Sequence, residues 1–388
     1  MAFRALGYVF VAVCIAQADQ VPRIPVPAGR FGIGRVGYDW IDASRKTPRE
    51  LMVYFWYPTP DKSAKGSYWA GARQMDSNPE TRAPMAREFG DKWPSMVSGA
   101  IFSHAAEGVP AAKSSRLFPV VIFSHGLGST GFNYTCLIED LVSRGYVVAA
   151  IEHTYVAKAV WFPDGRVVAR DKERAEDLIE EGAADVRFVL DRLGRVNRDG
   201  KRFLLAGRVD LTQVAAMGHS AGAEFAARAC QLDGRFKACV DLDGGMVPVS
   251  ALPIAPDGAK LKQPLLFLEA YHDPEKGMGA THAQVLEYLK KKDEQLRGLP
   301  SGSYAVVLKS PDIAHPSFSD VPLLFAGQNG YPELNRVLHN LDLIETFTRE
   351  FLGKYLKHEK APLLDGRQQL AEATVEPLPS AGGDYDRE

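Results

Sequence analysis

The chain has 388 residues, with 46 Lys and Arg against 48 Asp and Glu, so its formal net charge is −2 at pH 7. Hydrophobic residues make up 46% and charged residues 24%, which is ordinary for a globular protein with one large α/β domain or two small ones. No stretch is strongly basic, so nucleic acid is not expected as a partner.

The N-terminus predicts a secretory signal peptide over residues 1–18. Arg4 supplies a positive charge, residues 5–15 form an apolar run too short to span a bilayer comfortably, and residues 16–18 (AQA) offer a small-residue cleavage site. A buried N-terminal strand is the alternative. No later segment approaches the length of a membrane span, so we expect a secreted or periplasmic protein.

Three cysteines follow the predicted leader, namely Cys136, Cys230 and Cys239. An odd number permits at most one disulfide within the chain, and buried apolar thiols are the favoured interpretation. The sequence has no C-x-x-C pair, no H-E-x-x-H motif and no His and Asp cluster at ligand spacing. It therefore predicts neither a metal site nor a cofactor.

The first third of the chain is harder to interpret. Residues 50–57 are rich in β-formers and predict an early strand, which Pro58 and Pro60 end. Residues 59–117 form an insertion or loop region before the core, with many Gly, Pro, Ser and charged residues. This region could line or cover a site. Surface packing is the alternative that we favour.

From residue 119 onwards, apolar strands alternate with helices. The predicted strands are 119–124, 146–151, 213–217, 236–242, 264–270 and 303–309, and the predicted helices are 133–144, 173–196, 221–232 and one that begins near Pro332. Because these strands are continuous apolar runs, we expect a mostly parallel sheet with helices on both faces. Ligands of such sheets bind at the carboxyl ends of the strands.

The predicted organisation is a single α/β domain over residues 19–358, with 303–309 as its last strand. Residues 359–388 are rich in Pro, Gly and acidic residues and predict a loosely ordered tail. No internal repeat is visible in the sequence.

Gly218–His219–Ser220–Ala221–Gly222 matches the pattern G-x-S-x-G. The motif by itself is weak, but it lies between an apolar strand and an alanine-rich helix, which is the context of a nucleophile elbow in the α/β-hydrolase fold. Its glycines remove side chains that would clash in so tight a turn. We therefore predict Ser220 as a nucleophile, displayed at a helix N-terminus where negative charge is favoured.

A serine nucleophile needs a base, and in this fold the acid and then the histidine follow the serine along the chain. The histidines after Ser220 are His272, His282, His315 and His339. His315 follows the last predicted strand, in a loop that can reach back over the serine. His282 and His339 fall in or beside predicted helices, and His272 follows the strand where an acid is more often found. We expect His315 to be the base.

The acid stays open between two aspartates. Asp243 ends strand 236–242 and precedes two glycines, whereas Asp273 ends the next strand. Asp241 points to the same face from deeper in the strand, and Glu269 is a weaker rival. The topology by itself favours Asp243 and Asp273 about equally.

Ester hydrolysis also needs donors for the oxyanion of the tetrahedral intermediate. One donor is the backbone N–H of Ala221, directly after the nucleophile. The other comes from the loop after an earlier strand, where residues 124–128 (SHGLG) lie and glycines let the backbone approach the substrate closely. An ordinary glycine-rich turn is the alternative for this loop.

The same loop supports an alternative from another class of protein. Residues 126–131 (GLGSTG) match G-x-G-x-x-G between a strand and a helix, and Glu152 ends the next strand, where a dinucleotide-binding oxidoreductase has its ribose-binding acid. More than 100 residues precede this strand, however, and the Ser220 elbow would have no explanation. A non-catalytic binding protein of the same fold would likewise have no need of the ordered Ser, Asp and His.

Several segments resemble the plasma-type platelet-activating-factor acetylhydrolases. They are residues 121–128 (VIFSHGLG), 146–153 (YVVAAIEH), 218–220 (GHS), 241–248 (DLDGGMVP) and 313–320 (IAHPSFSD). Their order and spacing, over about residues 119–320, are more specific than any one of them. The resemblance implies Asp243 as the acid, His315 as the base, and the N–H groups of Leu127 and Ala221 as the oxyanion donors.

The resemblance further implies calcium-independent hydrolysis of short or oxidised acyl esters, typically at the sn-2 position of phospholipids, without a cofactor. Bacterial relatives, including dienelactone-hydrolase-like and polyester-cleaving enzymes, share the constellation. Ala221 stands where the family has an aromatic residue and Gly244–Gly245 replaces bulkier residues, so we expect an enlarged or reshaped acyl pocket. The expected partner is an ester or lipid substrate; peripheral lipid contact and oligomeric state stay open.

Overall fold

The computed structural model describes residues 21–63, 65–171, 178–200, 203–244, 260–271, 290, 292 and 296–379. The predicted leader over residues 1–18 lies outside these ranges. His272 and His282, two of the candidate bases, and Asp273, a candidate acid, also lie outside them.

Strands and helices alternate through most of the described chain. The strands are β1 (Gly32–Asp42), β2 (Arg49–Thr59), β3 (Gly66–Ser67), β4 (Phe102–Ser103), β5 (Ala105–Glu107), β6 (Phe118–Ser124), β7 (Val147–Glu152), β8 (Ala159–Trp161), β9 (Val167–Ala169), β10 (Val209–His219), β11 (Phe236–Leu242), β12 (Leu265–Ala270), β13 (Ser303–Leu308) and β14 (Ala373–Leu378). The helices are α1 (Ala72–Ser77), α2 (Pro79–Phe89), α3 (Lys92–Ser98), α4 (Thr135–Ser143), α5 (Leu178–Asp199), α6 (Ala221–Leu232), α7 (Val321–Leu324) and α8 (Leu334–Leu352). Short 3₁₀ turns lie at Gly131–Tyr134 and His315–Phe318, and a π-helical turn at Gly353–Lys357.

The main sheet has the strand order β14-β13-β12-β11-β10-β6-β7-β2-β1-β5. Within the described residues, the strands β7, β6, β10, β11, β12 and β13 run parallel to one another, and β1 runs parallel to β5. The antiparallel pairs of this sheet are β2 with β7, β1 with β2, and β13 with β14. The predicted mostly parallel sheet of the α/β-hydrolase fold is therefore confirmed.

Both faces of this sheet are buried, which explains the continuous apolar runs of the central strands. In β6, Val121 and Phe123 belong to the cluster on one face, whereas Val120 and Ile122 belong to the cluster on the other. Successive side chains of a strand point to opposite faces, so a strand covered on both sides must be apolar at every position. The carboxyl ends of the parallel strands consequently share one edge.

The insertion region over residues 59–117 carries α1, α2 and α3 and packs against the core. Trp69 stacks on Phe132 at 6.0 Å and meets Phe89 and Trp93 edge-on at 5.5 and 6.0 Å. These four rings are at most 2% exposed. The region therefore packs against the 3₁₀ turn at Gly131–Tyr134 through the contact of Trp69 with Phe132.

The sheet differs from the sequence prediction near both of its edges. Strands β1 and β5 were missed on one side. On the other side, the segment 359–388, predicted as a loose tail after a last strand at 303–309, supplies β14. Residues Ala373 to Leu378 pair antiparallel with β13. Without β14, the outer edge of β13 would leave backbone N–H and C=O groups unpaired. A strand can pair with these groups without an apolar pattern of its own. The sequence of the mostly half-buried β14 therefore carried no strand signal.

Cys230 of α6 and Cys239 of β11 form a disulfide, whereas Cys136 is a buried thiol. The favoured interpretation of buried thiols was therefore wrong for Cys230 and Cys239. Sequence spacing could not pair them, because only the packing of the helix on the neighbouring strand brings the two side chains together. Within the described ranges, no helix combines the length and the apolar character required to cross a bilayer.

Candidate active site

Ser220 occupies a strained turn between β10 and α6. Its backbone angles are φ 56° and ψ −129°, a region that residues with a side chain rarely adopt. Two hydrogen bonds hold the turn: the Ser220 N–H donates to the Leu242 carbonyl at 3.0 Å, and the Ala223 N–H donates to the Ser220 carbonyl at 2.9 Å. The turn displays Ser220 at the carboxyl edge of the sheet, between the ends of β10 and β11.

The two glycines of the motif permit this turn. A Cβ on Gly218 would lie 2.0 Å from the Gly222 carbonyl oxygen, and a Cβ on Gly222 would lie 2.2 Å from the Ser124 carbonyl oxygen. Both neighbours are backbone atoms that cannot rotate away. The glycine at each end of G-x-S-x-G is thus a packing requirement of strand, turn and helix.

Gly222→Ala is expected to lower the free energy of unfolding by about 1–3 kcal/mol or more, because the new methyl group would push α6 away from the end of β6. Gly234→Ala is the matched control, since no atom lies within 4 Å of a Cβ at that position. We expect it to change stability by less than about 0.5 kcal/mol. Thermal unfolding of both variants measures this, and equal melting temperatures would contradict the packing argument.

Asp243 and His315 lie in direct contact, with 2.6 Å between His315 Nδ1 and Asp243 Oδ2. Asp243 follows β11 at φ 52° and its side chain is 1% exposed. Its other carboxylate oxygen accepts a hydrogen bond from the Ala270 N–H at 3.0 Å. The His315 side chain is 30% exposed. The carboxylate therefore holds Nδ1 of a half-buried imidazole whose other face can meet solvent or a ligand.

The rival acids within the described residues have other partners. The Asp241 carboxylate accepts from the Gly244 N–H at 2.8 Å, and burial raises the pKa of Asp241 to about 8. Glu269 forms an ion pair with Lys292 at 2.5 Å. Asp273, the remaining rival, lies outside the described residues. Of the other histidines, His339 is exposed on α8 and contacts Glu372 at 2.8 Å.

The loop after β6 lies against the nucleophile. Strands β6 and β10 are parallel neighbours, with Ser124 paired to Gly218. A Cβ on Gly126 would lie 3.2 Å from Ser220 Cβ, so the backbone passes close to the serine. Leu127 follows with a side chain that is 46% exposed. The structure thus brings the predicted oxyanion loop, Ser220 and the first residue of α6 together.

A tyrosine that the sequence did not single out joins this cluster. The Tyr134 hydroxyl accepts from the Gly126 N–H at 3.1 Å and lies 2.8 Å from His219 Nδ1. The other His219 nitrogen, Nε2, lies 3.1 Å from the His315 carbonyl oxygen. Tyr134 is 85 residues from its imidazole partner, and no spacing rule connects the two positions.

His219, Asp243 and His315 each place a potential ligand atom within 4.8 Å of the others, the kind of group that can hold a cation. Both ring nitrogens of His219, however, are engaged by Tyr134 and by the His315 carbonyl. His219 Nε2 must carry a proton to bond to that carbonyl, because a carbonyl only accepts. The arrangement is therefore a hydrogen-bonded set in which His219 offers no spare lone pair.

The geometry around Glu152 does not fit the dinucleotide-binding alternative. The Glu152 carboxylate is buried and accepts from the Gly131 N–H at 2.8 Å, and burial raises the pKa of Glu152 to about 8. A ribose-binding acid must face a ligand as an acceptor. Here the carboxyl group is turned into the protein and supports the loop over residues 126–131.

Ala221 and Gly244 are positions where the sequence differs from the acetylhydrolases that it resembles, and their surroundings differ. A Cβ on Gly244 would lie 2.7 Å from Ala223 Cβ and 2.7 Å from Asp241 Oδ1, so Gly244 allows α6 and β11 to pack and leaves no open volume at that point. Gly245 lies outside the described residues. Ala221 is the first residue of α6, directly after Ser220.

Comparison with known proteins agrees with the resemblance noted in the sequence. The family model described as platelet-activating factor acetylhydrolase, isoform II, matches residues 16–162 and 179–324. A platelet-activating factor acetylhydrolase of Cavia porcellus is 25% identical over 279 residues, which are 64% of this chain and 60% of that protein. A probable 1-alkyl-2-acetylglycerophosphocholine esterase of Arthroderma benhamiae is 25% identical over 291 residues, which are 67% of this chain and 69% of that protein.

The fold also matches a solved esterase. The structure of a ferulic acid esterase from Streptomyces cinnamoneus superposes with a TM-score of 0.67 at 26% identity and covers 91% of this chain and 99% of its own. The chain spans about 60% of the length of the Cavia porcellus relative. Since the family model covers most of the sequence, including the Ser220 elbow and the His315 segment, this chain belongs to the platelet-activating factor acetylhydrolase isoform II family.

Proposed function

We propose that this protein is a serine ester hydrolase that cleaves short-chain carboxylic esters through an acyl-enzyme, with Ser220 as nucleophile, His315 as base and Asp243 as orienting acid. The single observation that carries the proposal is the 2.6 Å contact between His315 Nδ1 and Asp243 Oδ2 beside a strained serine turn. Strain of this kind persists where the surrounding structure enforces it, and it concentrates at functional sites.

In the proposed reaction, Ser220 Oγ attacks the ester carbonyl while His315 Nε2 takes the hydroxyl proton. Asp243 accepts from His315 Nδ1–H, which fixes the tautomer and stabilises the imidazolium that forms. The N–H groups of Leu127 and Ala221 donate to the oxyanion. His315 then gives its proton to the leaving alcohol, and water, activated by the same imidazole, cleaves the acyl-enzyme. Besides the ester and the water, these steps use side chains and backbone of this chain.

For the substrate, we propose acetyl or oxidised acyl esters of phospholipids, because relatives are named for the hydrolysis of 1-alkyl-2-acetylglycerophosphocholine and platelet-activating factor. The structural similarity to a ferulic acid esterase supports a second candidate, a small non-lipid ester. Esters of the kinds cleaved by dienelactone-hydrolase-like or polyester-cleaving enzymes belong to that second class. The small Ala221 beside the nucleophile favours a wider acyl pocket than an aromatic residue would leave.

We further propose that the protein is secreted or periplasmic, with residues 1–18 as the leader. The disulfide between Cys230 and Cys239 supports this location, because such bonds persist in oxidising compartments.

The function is tested with p-nitrophenyl esters from acetate to palmitate and with 1-alkyl-2-acetylglycerophosphocholine, in the presence of a chelator. We expect turnover of the short esters and of the phospholipid without added metal. Turnover of short esters but not of the phospholipid would assign the second substrate class. Absence of turnover for every ester, by a folded protein, would contradict the proposal.

A further inference from the structure

We propose that Tyr134 and His219 form a hydrogen-bonded bridge that sets the distance between the oxyanion loop and the base, and so position the two halves of the site for catalysis. The inference rests on the ester hydrolysis proposed above. In the proposed mechanism neither Tyr134 nor His219 contacts the substrate, so both are positioning residues. Together these two side chains form the Tyr134–His219 bridge.

The bridge is continuous from one half of the site to the other. The Gly126 N–H donates to the Tyr134 hydroxyl at 3.1 Å, and that hydroxyl lies 2.8 Å from His219 Nδ1. His219 Nε2 lies 3.1 Å from the carbonyl oxygen of His315. Three hydrogen bonds thus connect the loop that carries one oxyanion donor to the backbone of the base.

The two ends of the bridge determine the direction of the outer hydrogen bonds. A backbone N–H can only donate and a carbonyl can only accept, so the Gly126 N–H donates to the Tyr134 hydroxyl and His219 Nε2–H donates to the His315 carbonyl. In a neutral imidazole the proton on Nε2 leaves Nδ1 without one, so Nδ1 accepts from the Tyr134 hydroxyl. This direction requires a protonated phenol and a neutral imidazole. Burial raises the pKa of Tyr134 to about 12, and burial together with the nearby His315 lowers the pKa of His219 to about 3. Both groups therefore hold the required state at neutral pH.

Packing leaves the bridge little freedom to move. Tyr134 and His219 are 1% and 5% exposed. The Tyr134 ring meets Phe123 of β6 edge-on at 4.8 Å, and the His219 ring stacks on Phe318 at 5.8 Å with 14° between the planes. Side chains held by close packing and by hydrogen bonds at both ends keep a precise geometry.

At the loop end, the bridge acts on the residue directly before the donor. The Gly126 carbonyl accepts from His125 Nδ1 at 2.8 Å and from the Ser129 N–H at 3.0 Å. This carbonyl and the Leu127 N–H belong to the same planar trans peptide, so fixing the carbonyl fixes the direction of the N–H. Tyr134 adds the third restraint by holding the Gly126 N–H. Loss of this restraint leaves the φ angle of Gly126 controlled only by the two bonds to its carbonyl, so the direction of the Leu127 donor is held less precisely.

At the base end, the bridge restrains the backbone that carries the imidazole. His315 begins a short 3₁₀ turn, and its ring contacts the His219 ring at 4.5 Å between centroids. Asp243 holds the His315 ring by Nδ1, whereas His219 holds the same residue by its carbonyl. Two restraints, one on the ring and one on the backbone, therefore fix the position of His315.

The test is Tyr134→Phe, which removes only the hydroxyl, with Tyr57→Phe as the matched control. Tyr57 is also fully buried and loses a hydroxyl bond of 2.6 Å to the Val109 carbonyl, but it belongs to the core on the other face of the sheet. For p-nitrophenyl acetate, we expect Tyr134→Phe to lower kcat by about 10- to 100-fold with KM changed less than about threefold, because misplaced donors weaken transition-state binding more than substrate binding. Tyr57→Phe keeps the wild-type kcat.

The number of competent sites is counted by the burst of p-nitrophenol, and kcat is expressed for each such site. A purely structural role would reduce the burst and leave kcat per site unchanged, and this result would overturn the bridge. Equal wild-type kcat in both Tyr variants would overturn it as well. A wild-type protein with neither burst nor turnover would overturn the proposed function and the bridge together. Failure of the bridge alone leaves the wild-type protein active, so the experiment distinguishes the two outcomes.

A double-mutant cycle with His219→Gln provides a second measurement. The glutamine amide can still donate to the His315 carbonyl but has no acceptor at the position of Nδ1. If the bridge acts as a unit, the double variant loses about as much kcat as the slower single variant. Losses that multiply independently would overturn the bridge, even if each single variant is slow.

Discussion

Ser220→Ala is expected to lower kcat for p-nitrophenyl butyrate by about 10⁶-fold, with a melting temperature within about 2 °C of the wild type. The hydroxyl is the proposed nucleophile, and no neighbouring group in the proposed mechanism can take its place. The packing of the turn depends on Gly218 and Gly222 and on backbone bonds, all of which the variant keeps. Activity and thermal unfolding measured on the same preparation check the result.

A second Ser–His–Asp series in this chain supplies the control for Ser220. Ser124 Oγ lies 3.0 Å from His153 Nε2, and His153 Nδ1 lies 2.9 Å from Asp185, which also pairs with Arg49. Ser124, His153 and Asp185 are 0% exposed, so an ester cannot reach them. Ser124→Ala should keep kcat within about tenfold of the wild type, since it alters only the support of the loop. Loss of activity in Ser124→Ala with retention in Ser220→Ala would reverse the assignment.

Asp243→Asn is expected to lower kcat by about 10⁴-fold, because an amide at this position favours the wrong tautomer of His315. The contact at 2.6 Å lets the carboxylate accept from Nδ1–H, which leaves Nε2 as the base. KM should change far less than kcat, since Asp243 is buried and acts on the imidazole rather than on the ester. Steady-state kinetics at pH 7 with p-nitrophenyl acetate measures both constants.

Asp241→Asn is the matched control, two residues earlier and equally buried. Because burial raises the pKa of Asp241 to about 8, its carboxyl group is mostly protonated at pH 7, and an asparagine can still accept from the Gly244 N–H. We expect nearly wild-type kcat. Asp273→Asn completes the set: if it abolished turnover while Asp243→Asn stayed active, Asp273 would be the acid.

The sequence by itself predicted the features that depend on local order along the chain. Continuous apolar runs predicted the buried strands, because a strand covered on both faces is apolar at every position. The glycines of G-x-S-x-G predicted the turn at Ser220, because backbone segments approach each other closely there. The order of serine, acid and histidine narrowed the base to His315. Topology could not choose between Asp243 and Asp273, and only the family resemblance favoured Asp243.

Tertiary structure alone decided which distant groups meet. The contact of Asp243 with His315 spans 72 residues, and that of Tyr134 with His219 spans 85. Nothing in the spacing of these residues reports such contacts, since they arise where the ends of separate parallel strands converge at one edge. The disulfide of Cys230 with Cys239 and the edge strand β14 likewise depend on which elements become neighbours in the fold. The sequence therefore predicted the candidate residues, whereas the packing of the fold determines which of them are in contact.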